Sequence, residues 1–401
     1  MAGLTYWLWL SSAGLTPRAK STILERFGDA EAAFHAPEGS FTSLPGLNRI
    51  EADVLERRDL RLADEIREEC ERQGVWMLSL QDAAYPPRLK HIFSPPVVLY
   101  GKGGLPAQEN DVPIAVIGTR RCSPYGQRMA AQLGGELARC GGTVVSLLTS
   151  EIETEAAREA LRAGGRVIGV LGLPHERETR RLAAEIASQG TLLSEYPPFT
   201  QPSSRFFRER NRIASGLSLG VLVVEAPEKS GTQLFVAEAA EQGKEIFAVP
   251  GNADAQGSAG TLRMIQEGAK LVTSGWEVLC EFQPLYPKAL RYVPESTEKR
   301  IEEENREQAA PAPYAAATGE DPVDKPPEKA YIDLKMQLEN LTEDQLRIVS
   351  AIDRNARHID DIIEETGLPT AVVLAQLTRL QVQGFVRREP GQRFSLNITK
   401  K

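Results

Sequence analysis

The sequence predicts an α/β protein: a doubly wound parallel sheet in the middle, a helical region before it and a winged-helix module after it. Three observations carry this. From Val112 to about residue 283, short β-branched runs alternate with helical stretches, the pattern of parallel strands joined by crossover helices. Those runs are apolar almost throughout, as strands covered on both faces must be. Behind a proline-rich polar segment, three helical stretches and a hairpin-like tail close the chain. A length of 401 residues leads one to expect two or three domains.

In chain order, residues 1–75 read as short helices. "LTYWLWLSSAGL" is apolar, but it lacks a basic leader and runs straight into the amphipathic "TPRAKSTILERFG". It therefore reads as a buried first helix and not a signal peptide. Thr16-Pro17 starts the next helix, Ile23, Leu24 and Phe27 form its apolar side, and Gly28 stops it. "SLPGLNRIEADVL" places a tight turn at Leu44–Leu47 before another helix. Residues 76–111 form a connector, in which paired prolines in "YPPRL" and "SPPVVLYGKGG" favour extended chain.

The central part, 112–283, carries seven strand-like runs: "IAVIG", "TVVSLL", "RVIGVLG", "TLLSEY", "GVLVVEA", "EIFAVPG" and "KLVT". Residues 284–340 are rich in Pro, Ala, Glu and Lys, bury little, and read as a flexible linker. Order returns at 341–401. "TEDQLRIVSAI" has a Thr N-cap with acids in its first turn, "HIDDIIEETG" and "PTAVVLAQLTRLQVQG" follow, and "FVRREPGQRFSLN" closes as a β-wing.

The formal net charge is −8, so any nucleic-acid site must be a local patch. Cys70, Cys122, Cys140 and Cys280, and the four histidines, are scattered. No disulfide framework and no metal-ligand spacing is visible, and reduced thiols in a cytoplasm are the expectation. No apolar run approaches the ~20 residues of a membrane span.

Ligands of an open α/β sheet bind beyond the carboxyl ends of its strands. Four segments fall there: "GTRRCSPYG", "PSSRFFRERNR", "EKSGTQ" and "PGNADAQGSAGT". Gly118, Gly231 and Gly260 permit close backbone approach. Thr119, Ser123, Ser230, Thr232, Ser258 and Thr261 offer hydroxyls. Arg120, Arg121, Arg205, Arg208, Arg210 and Arg212 supply forked donors matched to phosphate, with Asn211 among them. So many arginines suit several phosphates, hence a polymer. Against this, Gly118 alone is also an ordinary strand-to-helix turn. At least one arginine is expected to pair with Glu195, Glu209 or Glu225. Phe206 is kept among the candidate contacts, although for it and Phe207 a place in the core is the commoner role.

With these residues assembled, the chain resembles the DNA-processing protein A (DprA, also called Smf) family of bacteria. "QDAAYPPRLKHIFSPPVVLYGKG", "IAVIGTRRCSPYG", "LLSEYPP", "RERNRIASGLS", "VVEAPEKSGT" and "EIFAVPGNADAQGSAGT" follow in the family's order. The resemblance implies an extended Rossmann-like domain and a single-stranded DNA-binding protein. Such a protein protects incoming DNA in natural transformation and helps load the RecA recombinase. The family is homodimeric and not known as an enzyme, so no catalytic residue, cofactor or metal is expected. Arg120 and the arginines before Asn211 would hold phosphate.

The chain departs from the family in three places: the loop "LPHERETRRL" is shorter, Ser258-Ala259-Gly260-Thr261-Leu262 lacks the family's closing Asn, and the stretch after the second strand is rebuilt. "SLLTSEIETEAAREAL" stands where the family has a glycine-containing run and an Ala-His pair, and it brings Glu151, Glu153 and Glu155. These acids either repel DNA or lie on the outer face of the helix; the outer face is the expectation, with Glu155 paired to Arg158.

Two flanking features add little charge. The N-terminal helices with "LPGL" resemble a helix-hairpin-helix or SAM-like unit, either a DNA-backbone contact or a packing module. In the winged helix the third helix offers only Arg379, and the second carries Asp360, Asp361, Glu364 and Glu365. Partner binding is expected there, with Arg387, Arg388 and Arg393 on the wing keeping backbone contact open. Two other functions compete. One is a phosphoribohydrolase with Glu238 as its acid; the other is a family member of reduced DNA affinity.

Overall fold

The computed structural model describes residues 2–106, 111–172, 180–201, 203–294, 342–352, 357–382, 386–389 and 393–396. The chain divides into two units, 1–310 and 311–401.

The first unit begins with five helices, α1 (Ala2–Ser12), α2 (Pro17–Phe27), α3 (Ala30–Phe34), α4 (Arg49–Glu56) and α5 (Arg61–Gln73). Trp7, Leu8, Trp9 and Leu10 of α1 are buried with Ile23, Phe41, Leu55 and Ile66, as the apolar opening predicts. Thr16 caps α2 by accepting from Ala19 N, and Gly28 ends it at φ +90°, a value that favours glycine. Gly46 turns the chain at φ +87° before Asn48 caps α4.

The α/β region follows as β1 (Trp76–Ser79), α6 (Pro87–Lys90), β2 (Val98–Gly103), β3 (Val112–Ile117), α7 (Pro124–Arg139), β4 (Gly142–Ser146), α8 (Glu151–Arg162), β5 (Val167–Val170), α9 (Arg180–Gln189), β6 (Thr191–Ser194), α10 (Ser204–Leu217), β7 (Gly220–Val223), α11 (Gly231–Glu241), β8 (Glu245–Ala248), α12 (Ala259–Gln266), β9 (Lys270–Leu271) and α13 (Gly275–Leu279). The sheet order is β1-β2-β6-β5-β4-β3-β7-β8-β9. All seven sequence-predicted strands are present as β3 to β9, and their pairings are parallel. One core lies on each face of the sheet, as near-continuous apolar strands require.

Two expectations need correction. Residues 76–111 are more than a connector: β2 pairs antiparallel with β6, and β1 pairs antiparallel with β2. The proline pairs flank these strands and so remove no ladder donor from them. The expected linker also starts later than Pro284. Leu290 is buried in the sheet domain's core, and Arg291 N donates to Cys140 O at 3.0 Å. Gly141, at φ +95°, makes room for this return: a Cβ there would lie 2.1 Å from Ala289 O. The rest of the expected linker, from residue 295, lies outside the described residues.

The second unit holds α14 (Glu343–Ala351), β10 (Arg357–His358), α15 (Ile359–Thr366), α16 (Thr370–Val382), β11 (Val386–Glu389) and β12 (Arg393–Leu396). The three strands form one small sheet, β10-β12-β11. Thr342 caps α14 in a reciprocal capping box with Gln345. Three helices and a β-wing match the sequence reading; β10, only two residues long, left no pattern to detect.

Helices α7 and α8 approach closely at Gly134, where a Cβ would stand 2.3 Å from Ala156 O. Replacing Gly134 by Ala gains up to about 1 kcal/mol of helix propensity but forces the two helices apart. We expect a net loss of roughly 1–2 kcal/mol, read as a lower urea midpoint at unchanged slope.

Candidate nucleic-acid interface

The chain order reverses between β4 and β7 on either side of β3, and there the carboxyl ends open a crevice. It encloses about 590 Å³, lined by the loops after β3, β4 and β7 and by α10.

The first loop is shaped from behind. A Cβ on Gly118 would lie 2.3 Å from Ile152 Cδ1, so only glycine lets the loop pass α8. Thr119 N donates to Glu225 O at 2.8 Å. Ser123 N and Oγ both donate to the buried Glu225 carboxylate, at 2.9 and 3.1 Å. Ser123 Oγ also caps α7 by accepting from Gly126 N. These bonds fix the turn and leave Arg120 and Arg121 exposed, with no ion pair among the described residues. Ser123 itself is a strut of the loop and does not line the crevice.

The arginine-rich segment is a helix, not the loop its position after a strand suggested. Its turns deal the arginines to different surroundings. Arg208 is exposed and lines the crevice. Arg210 is buried: Nη1 donates to Leu147 O at 3.2 Å, Nη2 donates to Thr149 Oγ1 at 3.3 Å, and the guanidinium sits 5.0 Å from the Phe207 ring centre. It still borders the crevice from below. Arg212 pairs with Glu195 at 2.6 Å, both buried, and Arg205 pairs with Glu209 at 3.0 Å. The anticipated carboxylate pairing thus removes Arg212 and Arg205 from the crevice. Phe206 packs on Tyr196 with ring centres 3.9 Å apart and also lies outside it.

The third loop brings Ser230, Gly231 and Thr232 to the start of α11. Nothing stands within 4 Å of a Cβ built on Gly231. The Ser230 side chain makes no capping bond, and its hydroxyl oxygen is buried without a hydrogen-bond partner. Gln233 N donates to Ser230 O at 3.2 Å, but this helix N-terminus faces the crevice without a side-chain cap, the arrangement that receives an anion. The fourth loop does not reach the crevice. Ser258 and Thr261 are buried, Thr261 Oγ1 donates to Ser258 O at 3.0 Å, and Gly260 N donates to Ala226 O at 2.8 Å. A Cβ on Gly260 would strike the Ala226 and Pro227 carbonyls, so this loop buttresses the third one.

Three polar residues that line the crevice were not among the sequence candidates for binding. Lys229 is exposed at the rim; its position inside "EKSGTQ" was the available signal. Thr149 lies at the floor. Glu153 is the third, and it overturns the expectation that all three new acids face outward. It is 3 % exposed and borders the crevice. Its Oε2 accepts from Thr149 N at 2.7 Å, Thr149 Oγ1 at 2.8 Å and Ser150 N at 3.2 Å, completing a capping box. Burial pushes its pKa above the ordinary carboxylate value, while the Thr149 bonds and nearby Arg210 oppose the shift. Glu151 is an exposed first-turn acid that accepts a bond from Cys122 Sγ at 3.3 Å, and Glu155 pairs with Arg158 as expected. Burial, helped by Glu151, pushes the Cys122 thiol up to about 11.

The crevice therefore presents Arg120, Arg121, Arg208, Arg210 and Lys229 against the single carboxylate of Glu153. Among the described residues no cluster suits a metal ion, no helix is long and apolar enough to cross a membrane, and all four cysteines are free.

Fold and crevice together define a Rossmann-like protein with a cationic switch point and an appended winged helix. Residues 76–283 match the family model for DNA recombination-mediator protein A, and residues 333–392 match that for the DprA winged helix domain. The chain belongs to the DprA/Smf family. It is 31 % identical to protein Smf of Synechocystis sp. over 97 % of this chain and 98 % of that one. It is 38 % identical to the DNA processing protein DprA of Bacillus subtilis over 55 % of this chain and 74 % of that one. The crystal structure of DNA processing protein A from Streptococcus pneumoniae superposes with a TM-score of 0.60 at 32 % identity, covering 71 % of this chain and 97 % of that one.

Glu153→Gln keeps an acceptor at the capping position and removes the charge. We expect oligothymidylate to bind this variant up to about tenfold more tightly. In the wild type, affinity should rise as pH falls from 7 toward the ordinary carboxylate range, because protonation neutralises Glu153. The sign for stability agrees: a raised folded-state pKa means the ionised group opposes folding, and that opposition fades as pH falls. Fluorescence anisotropy against pH checks this, and a variant profile parallel to the wild type contradicts it.

Arg212→Ala leaves Glu195 buried and unpaired, and we expect it to cost about 3–5 kcal/mol of stability by urea denaturation.

Proposed function

We propose that this protein binds single-stranded DNA without sequence preference, as a non-catalytic member of its family. In this reading it holds incoming DNA during natural transformation and assists loading of the RecA recombinase, as a cytoplasmic homodimer. The observation that carries the binding reading is the crevice: five cationic side chains beside an uncapped helix N-terminus. Cations supply sequence-independent attraction to phosphates, and exposed amides grip individual phosphate oxygens. Glycine at 231 leaves the backbone open to a ligand, and glycine at 118 lets the first loop pass α8. The names of the relatives, DNA processing protein and DNA recombination-mediator protein, support the biological role.

The phosphoribohydrolase alternative draws less support. Glu238, its candidate acid, does not line the crevice and accepts a bond from Gln242 Nε2 at 3.1 Å. Reduced DNA affinity has a specific observation in its favour, the Glu153 carboxylate at the crevice floor.

Oligothymidylate binding should weaken steeply with salt, with a log–log slope of about −3.5 if about five phosphates are engaged. Arg120→Ala combined with Arg208→Ala should weaken every sequence alike and flatten that slope by about 1.4. A slope near zero in the wild type, or an unchanged double variant, removes the single-strand reading. Release of free base from nucleoside monophosphates would instead favour the enzyme.

A further inference from the structure

We propose that the single strand continues out of the crevice into a second seat formed with the N-terminal helices. This rests on the single-strand reading and extends it. The seat is a cavity of about 400 Å³ bounded by the start of α2, the Phe93–Ser94 turn and the outer face of α10.

Continuity is the first argument. Arg208 lines both cavities, so a strand passing that guanidinium in the crevice is already at the mouth of the second seat. Charge is the second. Arg18, in the first turn of α2, is exposed and has no ion pair among the described residues. Arg205 is tied to Glu209 yet keeps 41 % of its side chain exposed. The acids of this cavity are largely occupied: Glu209 is paired with Arg205, and Glu238 accepts from Gln242. Arg18 and Arg208 are left for a phosphate.

The third argument is apolar. Phe93 is 72 % exposed, so its ring face is free to receive a base, and it stands in the same cavity as these arginines. An exposed ring beside forked cations is the composition of a base-stacking platform, tolerant of sequence because every base has a flat face. The neighbouring Ser94 is held at φ +56°, the left-handed region that a serine enters at a cost. It is 6 % exposed, and its hydroxyl oxygen has no hydrogen-bond partner. Strain and an unanswered polar atom at one turn mark a place shaped for a ligand. The ligand class is a phosphate-linked base, the next nucleotide of the same strand.

The test compares oligothymidylates of about 6 and about 20 nucleotides, lengths chosen to fill one seat or both, on the full chain by fluorescence anisotropy. Combining Arg18→Ala with Phe93→Ala should weaken the longer oligonucleotide about tenfold and flatten its salt slope by about 0.7, leaving the shorter one unchanged. Arg120→Ala should weaken both lengths. The proposal is overturned if the double variant binds the longer strand as the wild type does, or loses both lengths equally. Failure of the wild type to bind either length would instead strike the single-strand reading itself. A longer strand carrying 5-iodouracil should also photo-crosslink to the peptide containing Phe93, and labelling confined to the crevice peptides contradicts a second seat.

Discussion

Helix N-termini that converge on one point are the constraint around which this structure is arranged. Each helix begins with amide groups that no residue of its own helix can satisfy. At the switch point of this sheet three helices begin together, α7, α8 and α11. The chain answers two of them from within. Ser123, itself held by buried Glu225, caps α7, and Ser150 with Glu153 caps α8. The start of α11 is left open, with a serine that makes no cap and a glycine that has space above it. In the proposed reading, the place of an anion follows from that difference: the surrounding cations raise its local concentration, and α11 is the one of these three helix starts without a side-chain cap.

The same logic explains why the arginine count in the sequence overstates the binding surface. Arg205, Arg208, Arg210 and Arg212 lie within eight residues, but a helix rotates about 100° per residue and spreads them around its axis. Arg208 emerges into solvent. Arg212 turns inward to Glu195 and ties α10 to the end of β6. Arg210 turns to the floor, where Phe207 and the Leu147 carbonyl hold it. A buried arginine without these partners would be costly, so the structural pairings are conditions for the helix to lie there at all. Arg210 thus serves the fold first and reaches the crevice only by its edge.

How far the sequence could be read follows from the range of each signal. Strands β3 to β9 were legible because β-branched apolar runs are local patterns and the helices between them are amphipathic. The antiparallel edge of β1 and β2 was not, because pairing at an edge is a tertiary event that leaves little periodic trace. In the crevice, Ser230 and Thr232 were legible because they sit at a helix start, and Gly118, Arg120 and Arg121 because they fill the short loop between a strand and a helix that the pattern already placed. Ser258, Gly260 and Thr261 belong to an equally glycine-rich loop, yet they face the Ala226–Pro227 backbone and support it. Composition gives the conformational freedom of such a loop and says nothing of its direction. Glu153 was misplaced for a related reason: its spacing from Ser150 fits a capping box, a signal the sequence reading did not use, and only the fold brings this cap to the crevice beside Arg210.

In the proposed reading, a chain of net charge −8 has to bind a polyanion and so must separate local attraction from global repulsion. Screening provides the separation. At about 0.15 M salt, charges more than about 8 Å apart are largely hidden from each other, so the crevice acts on a nearby phosphate while the acidic remainder contributes little. Lowering the salt strengthens the contacts within the crevice, but it also exposes the strand to the rest of the protein. The two effects oppose one another, and an acidic background therefore limits how tightly the protein can hold nucleic acid far from its proper seat. Glu153 applies the same restraint at short range: it lies inside the screening length and buried, where salt has little access. On the proposed function, bulk acidity discourages stray contact, while the buried carboxylate opposes the intended one. Only the second is open to adjustment by a single proton.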